Sequence, residues 1–308
     1  MSPIRKVAVI GAGGTIGTSI TSALVAAPDD FDVTIITRPE SSATFSFPAD
    51  KVPVIRTDYT IPALTAALHG QDAVVSAVGV AGIPKQKDMM DAAEAAGVGL
   101  FVLSDFGYGP EHRHLPDFDA IGKPRQDVLS YAKDKAARSN GQFSWSAIAI
   151  GNPIDWALKK FPTLGFDVVN RKATIYDSGT ERFTGTTLAG IAQAVVGVLK
   201  CHDEVANRHL HVRSVETCQN DLLAAFEEVT GHKWPVTHDT TDNLLQRGRE
   251  KRARGESGWV LDLIVAQLLE EGTDRRSIVV AQDKADNDIL GMPHEDVPGM
   301  VKRIMMSV

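Results

Sequence analysis

The sequence predicts an α/β chain: a doubly wound parallel sheet followed by a smaller, mainly helical unit. Three observations carry this expectation. Residues 7–17, VAVIGAGGTIG, run from an apolar stretch into a glycine-rich turn. The first half of the chain then alternates strand and helix patterns with short connections, which implies a sheet covered by helices on both faces. Beyond Gly151 that alternation fades and helical patterns dominate.

Val7, Ala8, Val9 and Ile10 form an uninterrupted apolar run, the pattern of a strand buried on both faces. Gly11 turns the chain sharply. Gly13 and Gly14 carry no Cβ, so phosphates can approach main-chain N–H groups there, and Gly17 lets the next helix pack closely on the strand. That helix, predicted over 15–27, opens on Thr15 and Ile16 and aims its N-terminus at the same anions. A second strand at 32–37 closes a βαβ unit of roughly 30 residues, the setting in which such glycines hold a dinucleotide. Further strands are predicted at 52–56, 72–77, 99–103 and 143–150, with helices at 61–68, 85–96 and 123–139. The reading therefore places a Rossmann dinucleotide-binding unit over 1–155 and a smaller substrate-binding unit over 156–308. Strands near 173–176 and 209–212 could rejoin the first sheet, and helices are expected at 187–199, 216–230, 241–254, 259–270 and 297–305.

The chain has 308 residues, enough for about two domains at ~150 residues each. Hydrophobic residues make up 43% and charged ones 23%, a globular composition. With 32 basic and 39 acidic residues the net charge is −7, which argues against nucleic-acid or anionic-membrane binding and for a small-molecule partner. The basic run Arg247, Arg249, Lys251, Arg252 and Arg254 is interrupted by Glu250 and falls on a predicted helix, so it reads as a solvated face. Cys201 and Cys218 have neither metal-ligand spacing nor the number for a disulfide framework, and no metal is expected. No secretion signal or membrane span is read, and a cytoplasmic monomer or homodimer is the expectation.

The end of the second strand discriminates NAD from NADP, because a carboxylate there binds the ribose 2′-OH whereas an arginine accommodates a 2′-phosphate. Here the residues are Thr37-Arg38-Pro39, which favours NADP(H). Asp58 and Tyr59 follow the third strand and could flank the adenine. Ser76, Ala77, Val78 and Gly79 follow the fourth, where small residues leave room for the nicotinamide ribose.

Gly11, Gly14 and Gly17, Arg38, the SDFG motif at 104–107 and a lysine at the start of the next helix together resemble the isoflavone reductase-like and NmrA-like branch of atypical short-chain dehydrogenases. The resemblance implies an NADPH-dependent reductase acting on a small aromatic secondary metabolite, since members reduce isoflavones, lignans and phenylcoumaran benzylic ethers. By motif order it puts the catalytic lysine at Lys123, sets Ser104 and Phe106 beside the cofactor and matches His114 to the family's loop histidine. A lysine near nicotinamide can hold the ribose and, with a lowered pKa, pass a proton to an oxygen that gains charge. Pro124 and a shorter loop before Lys123 depart from the reductase pattern. Tyr131 and Lys135 offer an alternative proton relay at YxxxK spacing.

Phe106, Tyr108, Asn152, Pro153 and Trp156 are the substrate-side candidates, with Trp259 and Leu263 closing the pocket, a set suited to a flat aromatic molecule. Two other functions stay open: a catalytically silent NADP-sensing regulator that binds a protein partner, as NmrA-like relatives allow, and a non-redox isomerase, since a fold does not fix chemistry.

Overall fold

Seven short segments pair into one sheet in the computed structural model, which describes residues 3–45, 47–48, 50–110, 115–160, 163–272 and 278–307. Six of them are β1 (Lys6–Ile10), β2 (Asp32–Thr37), β3 (Val54–Arg56), β4 (Ala73–Ser76), β5 (Leu100–Val102) and β6 (Ser144–Ala149), and the seventh is Arg208–His211. Their order is Arg208–His211, β6, β5, β4, β1, β2, β3. Every pairing is parallel. Ile10 is in register with both Ile36 and Ser76, so β1 lies between β2 and β4, and the winding direction reverses between β1 and β4. Chains leaving those two strands diverge, which opens a crevice at their carboxyl ends.

Side chains alternate across a strand, so the run in β1 supplies both faces. Val7 and Val9 pack with Ile20 and Leu24 of α1 (Thr15–Val25) and with Val195 and Leu199 of the helix Leu188–Lys200. Ala8 and Ile10 pack on the other face with Leu64 and Leu68 of α2 (Ile61–Leu68), Met89 and Met90 of α3 (Gln86–Ala95), and Val128 and Ala132 of α4 (Asp119–Arg138). Each large apolar side chain buried this way contributes ~1.5–3 kcal/mol.

Among the described residues, the buried members of a third core all come from Ile154 onward, with Tyr108 packed against them. Phe226 is its centre, with ring centroids 5.3 Å from Phe166 and 4.8 Å from Trp234. Around it stand the helices Gln219–Thr230, Thr241–Ala253, Trp259–Leu269 and Val297–Met306. Two three-stranded sheets also lie in this region. One joins Val215–Thr217, Phe183–Thr186 and Asn152–Pro153, and the other joins Val236–Asp239, Lys172–Tyr176 and Phe166–Asp167.

One correction to the sequence reading follows from these pairings. The strand expected near 173–176 belongs to the second small sheet and not to the large one, whereas that near 209–212 does join the large sheet, beside β6. The strands at 183–186, 215–217 and 236–239 escape pattern reading because they are three or four residues long. Within the first of them Gly185 interrupts the apolar pattern, since a Cβ there would lie 2.6 Å from Ile154 Cβ.

Candidate active site

The glycine loop builds the crevice from backbone alone. Gly11 has φ +93°, and a Cβ there would sit 2.5 Å from the Ala77 carbonyl oxygen. A Cβ on Gly17 would fall 2.1 Å from the Gly11 oxygen, so only glycine permits the helix to start so close to the strand. Gly14 caps α1 with no side-chain hydrogen bond, and the first turn holds no acidic residue. Gly13, Gly14 and Thr15 are exposed, while Ile16 is half-buried and packs on the core. First-turn N–H donors thus face the crevice uncapped, a donor set that fits a dinucleotide pyrophosphate.

Beyond β2 the Arg38 side chain is 63% exposed and lies 3.4 Å from Glu40, an acid the sequence reading passed over. Arg56, at the end of β3, donates from Nη1 to the carbonyl oxygens of Arg38 (3.2 Å), Pro39 (3.3 Å) and Ser41 (3.2 Å) and so fixes that loop. Asp58 accepts from the Thr60 amide at 3.0 Å and hydroxyl at 2.9 Å, bonds that hold its carboxyl below the usual range and commit it to the turn before α2. Tyr59 has φ +61° and donates to the Ile36 carbonyl at 3.3 Å, with burial pushing its phenol up to about 12.

Ser76 is fully buried at the end of β4, inside the sheet and not on the crevice, which Ala77, Val78 and Gly79 border instead. Ser104 is buried too. Its hydroxyl donates to the Val78 carbonyl at 2.8 Å and its amide to Gln86 Oε1 at 2.7 Å, so it ties two loops together.

A cavity of about 260 Å³ lies between the loop after β5, α4 and the helix Trp259–Leu269. Phe106, Tyr108, Asn152 and Pro153 line it. Burial raises the Tyr108 phenol well above its ordinary value, with the Asn152 side chain as its hydrogen-bond neighbour. From α4 come Gly122, Arg125, Gln126 and Leu129, one helical stripe at i, i+3, i+4 and i+7. Lys123 falls off that stripe: its side chain is 74% exposed and pairs with Asp127 at 3.3 Å. The expectation that Lys123 faces the substrate is therefore corrected.

The same argument applies to the helix Trp259–Leu269, which presents Val260, Ile264 and Gln267 to the cavity. Trp259 instead stacks under Arg252, 5.0 Å from its guanidinium carbon, and Leu263 is buried against Gly248. Trp156 packs on the C-terminal core, and His114 lies outside the described residues. Tyr131 and Lys135 are corrected as well. Tyr131 donates to Asp91 at 2.5 Å and Lys135 pairs with Asp91 and Glu94, fastening α4 to α3. Burial opposes the Lys135 charge, and the two carboxylates outweigh it, holding the ammonium above its usual value.

Three functional candidates were missed. Asp105, inside the SDFG motif, lines the cavity with Oδ1 3.5 Å from Arg125 Nε and Oδ2 3.1 Å from His209 Nε2. Their side chains are 13%, 28% and 8% exposed respectively. Arg125 was readable from the α4 stripe, whereas His209 was not, because only sheet pairing brings Arg208–His211 beneath this loop.

The glycine crevice with a walled cavity beyond it defines a dinucleotide-type oxidoreductase frame, and the chain belongs to the NmrA-like family, whose family model matches residues 3–120. It is 49% identical to oxidoreductase poxI of Penicillium oxalicum over 294 residues, which is 96% of this chain and 92% of that protein. Oxidoreductase aprR of Aspergillus flavus is 36% identical over 310 residues, covering 97% of this chain and 98% of the relative. The chain is an oxidoreductase of this family. Among solved structures, AtPrR2 with NADP+ and (+)pinoresinol superposes with a TM-score of 0.78 at 20% identity, covering 99% of both chains. An isoflavone reductase gives a TM-score of 0.78 at 15% identity, covering 99% of this chain and 100% of that one. At these identities the two structures share the fold.

Proposed function

We propose that this chain reduces a small aromatic secondary metabolite with NADPH. The observation that carries the reading is continuity between the two halves of the site: Val80 and Phe106, which line the cavity, directly follow Gly79 and Asp105 in the loops that leave β4 and β5 at the crevice. The NADP+ complex of a relative in fold supports the cofactor. Bound there, a dihydronicotinamide supplies hydride. The 11–17 loop and the α1 N-terminus would hold the pyrophosphate, Arg38 the 2′-phosphate, and Ala77, Val78 and Gly79 would leave room for the ribose. Phe106, Leu129, Val260 and Ile264 exclude water and accept a flat ring system.

The same reading assigns nucleotide binding to residues 1–155, with 156–308 contributing to substrate binding through Val260, Ile264 and Gln267, which close a cavity whose other lining residues lie at 80–153. It includes a cytoplasmic setting; among the described residues no helix is long and apolar enough to cross a membrane. The exposure of Lys123 favours one second reading, a catalytically silent NADP sensor. Incubation with NADPH and a panel of aromatic ketones, lignans and isoflavones, followed by loss of cofactor absorbance, separates the two. Turnover supports the reductase; tight NADPH binding without any turnover supports the sensor.

A further inference from the structure

Among the described residues that line the cavity, Asp105 and Arg125 are the charged pair on an otherwise largely apolar wall. We propose that Arg125 is the catalytic residue that faces the substrate oxygen, with Asp105 and His209 as its positioning residues. This rests on the reductase reading. Arg125 lies on the cavity stripe of α4, two residues from Lys123, which lies off it. Its guanidinium offers a planar fork of N–H donors. Asp105 engages the Nε side at 3.5 Å. Because a carboxylate only accepts, His209 at 3.1 Å carries its proton on Nε2 and donates to the other Asp105 oxygen. The chain His209, Asp105, Arg125 is thus anchored in the sheet and ends at the cavity.

The charge balance identifies the substrate class. Among the described residues Asp105 counters Arg125, so this pair adds no surplus charge to recruit an anion, and a neutral carbonyl oxygen is the group it suits. During reduction the carbonyl carbon gains a C–H bond with the electron pair supplied by the dihydronicotinamide. The π pair of the C=O bond moves onto oxygen, whose developing negative charge faces the guanidinium, and water at the cavity mouth then supplies the proton. Preorganised donors of this kind, acting between Phe106, Phe118, Leu129 and Ile264, are worth more than in water. The substrate is accordingly a neutral aryl ketone, reduced to the alcohol, rather than an aryl carboxylate.

The test uses 2-acetylnaphthalene bound to the full-length protein without NADPH, with its carbonyl stretch read by infrared difference spectroscopy. The wild type is expected to lower that frequency, Arg125→Gln to return it to the solution value, and His209→Asn to give an intermediate shift. Lys123→Ala is expected to retain the full shift. Near-UV circular dichroism and NADPH fluorescence titration confirm that each variant is folded. With a turned-over substrate, Arg125→Gln lowers kcat by about 10²–10³-fold, the cost of one oxyanion donor, and leaves KM within a few-fold. No binding by the wild type, no frequency shift, or a shift that survives Arg125→Gln overturns the assignment of Arg125. Failure of the wild type to bind NADPH overturns the reductase reading instead, and the infrared result still judges Arg125 separately.

Discussion

The glycine crevice and the cavity beside it differ in what determines them. The crevice is made of main chain: Gly11 and Gly17 are required by clashes with the Ala77 and Gly11 carbonyl groups, whatever the neighbouring side chains are, and Gly14 leaves the helix start uncapped. The cavity is made of side chains on two helices, and which residues enter it depends on how those helices are rotated. A backbone site announces itself as a short motif, whereas a side-chain site is encoded as a phase.

The largest test of this contrast is Gly11→Ala, which combines φ +93° with a 2.5 Å approach to main chain that cannot move aside. It is expected to lose NADPH binding by at least about 100-fold or to prevent folding, as a ΔΔG near 3 kcal/mol or more implies, measured by fluorescence titration and thermal melting. Next is Arg38→Ala. Loss of a charge-assisted pair with the 2′-phosphate should weaken NADPH binding by about tenfold or more and leave NADH unchanged. An unaltered preference would remove Arg38 from the cofactor site.

Ile264→Trp and Leu263→Met probe the phase of the helix Trp259–Leu269. The first fills the cavity and is expected to lower kcat/KM about tenfold. The second, on the core side, should cost under about 1.5 kcal/mol of stability and spare kcat/KM. Equal kinetic losses would mean the cavity is not the substrate site.

The smallest effect concerns the basic run on Thr241–Ala253, whose Arg249 bonds Asp117 at 2.8 Å, with Arg247 on Asp239 and Lys251 on Asp262. Arg249 holds the Asp117 carboxyl below its ordinary 3.8. A depressed carboxylate stabilises the fold above its unfolded pKa and loses that contribution as pH falls through the folded one. Arg249→Ala should therefore lower Tm by only about 1–3 °C at pH 7, and the gap should close below about pH 4.

Much of the frame was legible. The apolar runs of β1, β2 and β6 and the punctuation by Gly11 and Gly97 specify local elements that tertiary contacts then reinforce. What could not be read was long-range. His209 reaches Asp105 across 104 positions of sequence, and Leu115 donates to Gln267 across 152. The misplaced residues in the candidate site, Lys123, Trp156, Trp259 and Leu263, have cavity-competent chemistry, yet each is turned toward solvent or core by the rotation of its helix. Their neighbours Arg125, Val260 and Ile264 sit at the positions that face inward. Ser76 and Ser104 show a related limit, because burial at a strand end is set by the strands on either side.

The return of the chain to the large sheet at Arg208–His211 has a consequence for engineering. A fragment ending near residue 155 would expose the backbone N–H and C=O groups along one side of β6, an open edge ready to pair with another copy. It would also lose the cover that Leu188–Lys200 places over Ile20 and Leu24. The nucleotide-binding half is therefore not a detachable module. Changes aimed at substrate are better made at Val260, Ile264 and Gln267, which line the cavity from outside this sheet, leaving the edge strand and its helix in place.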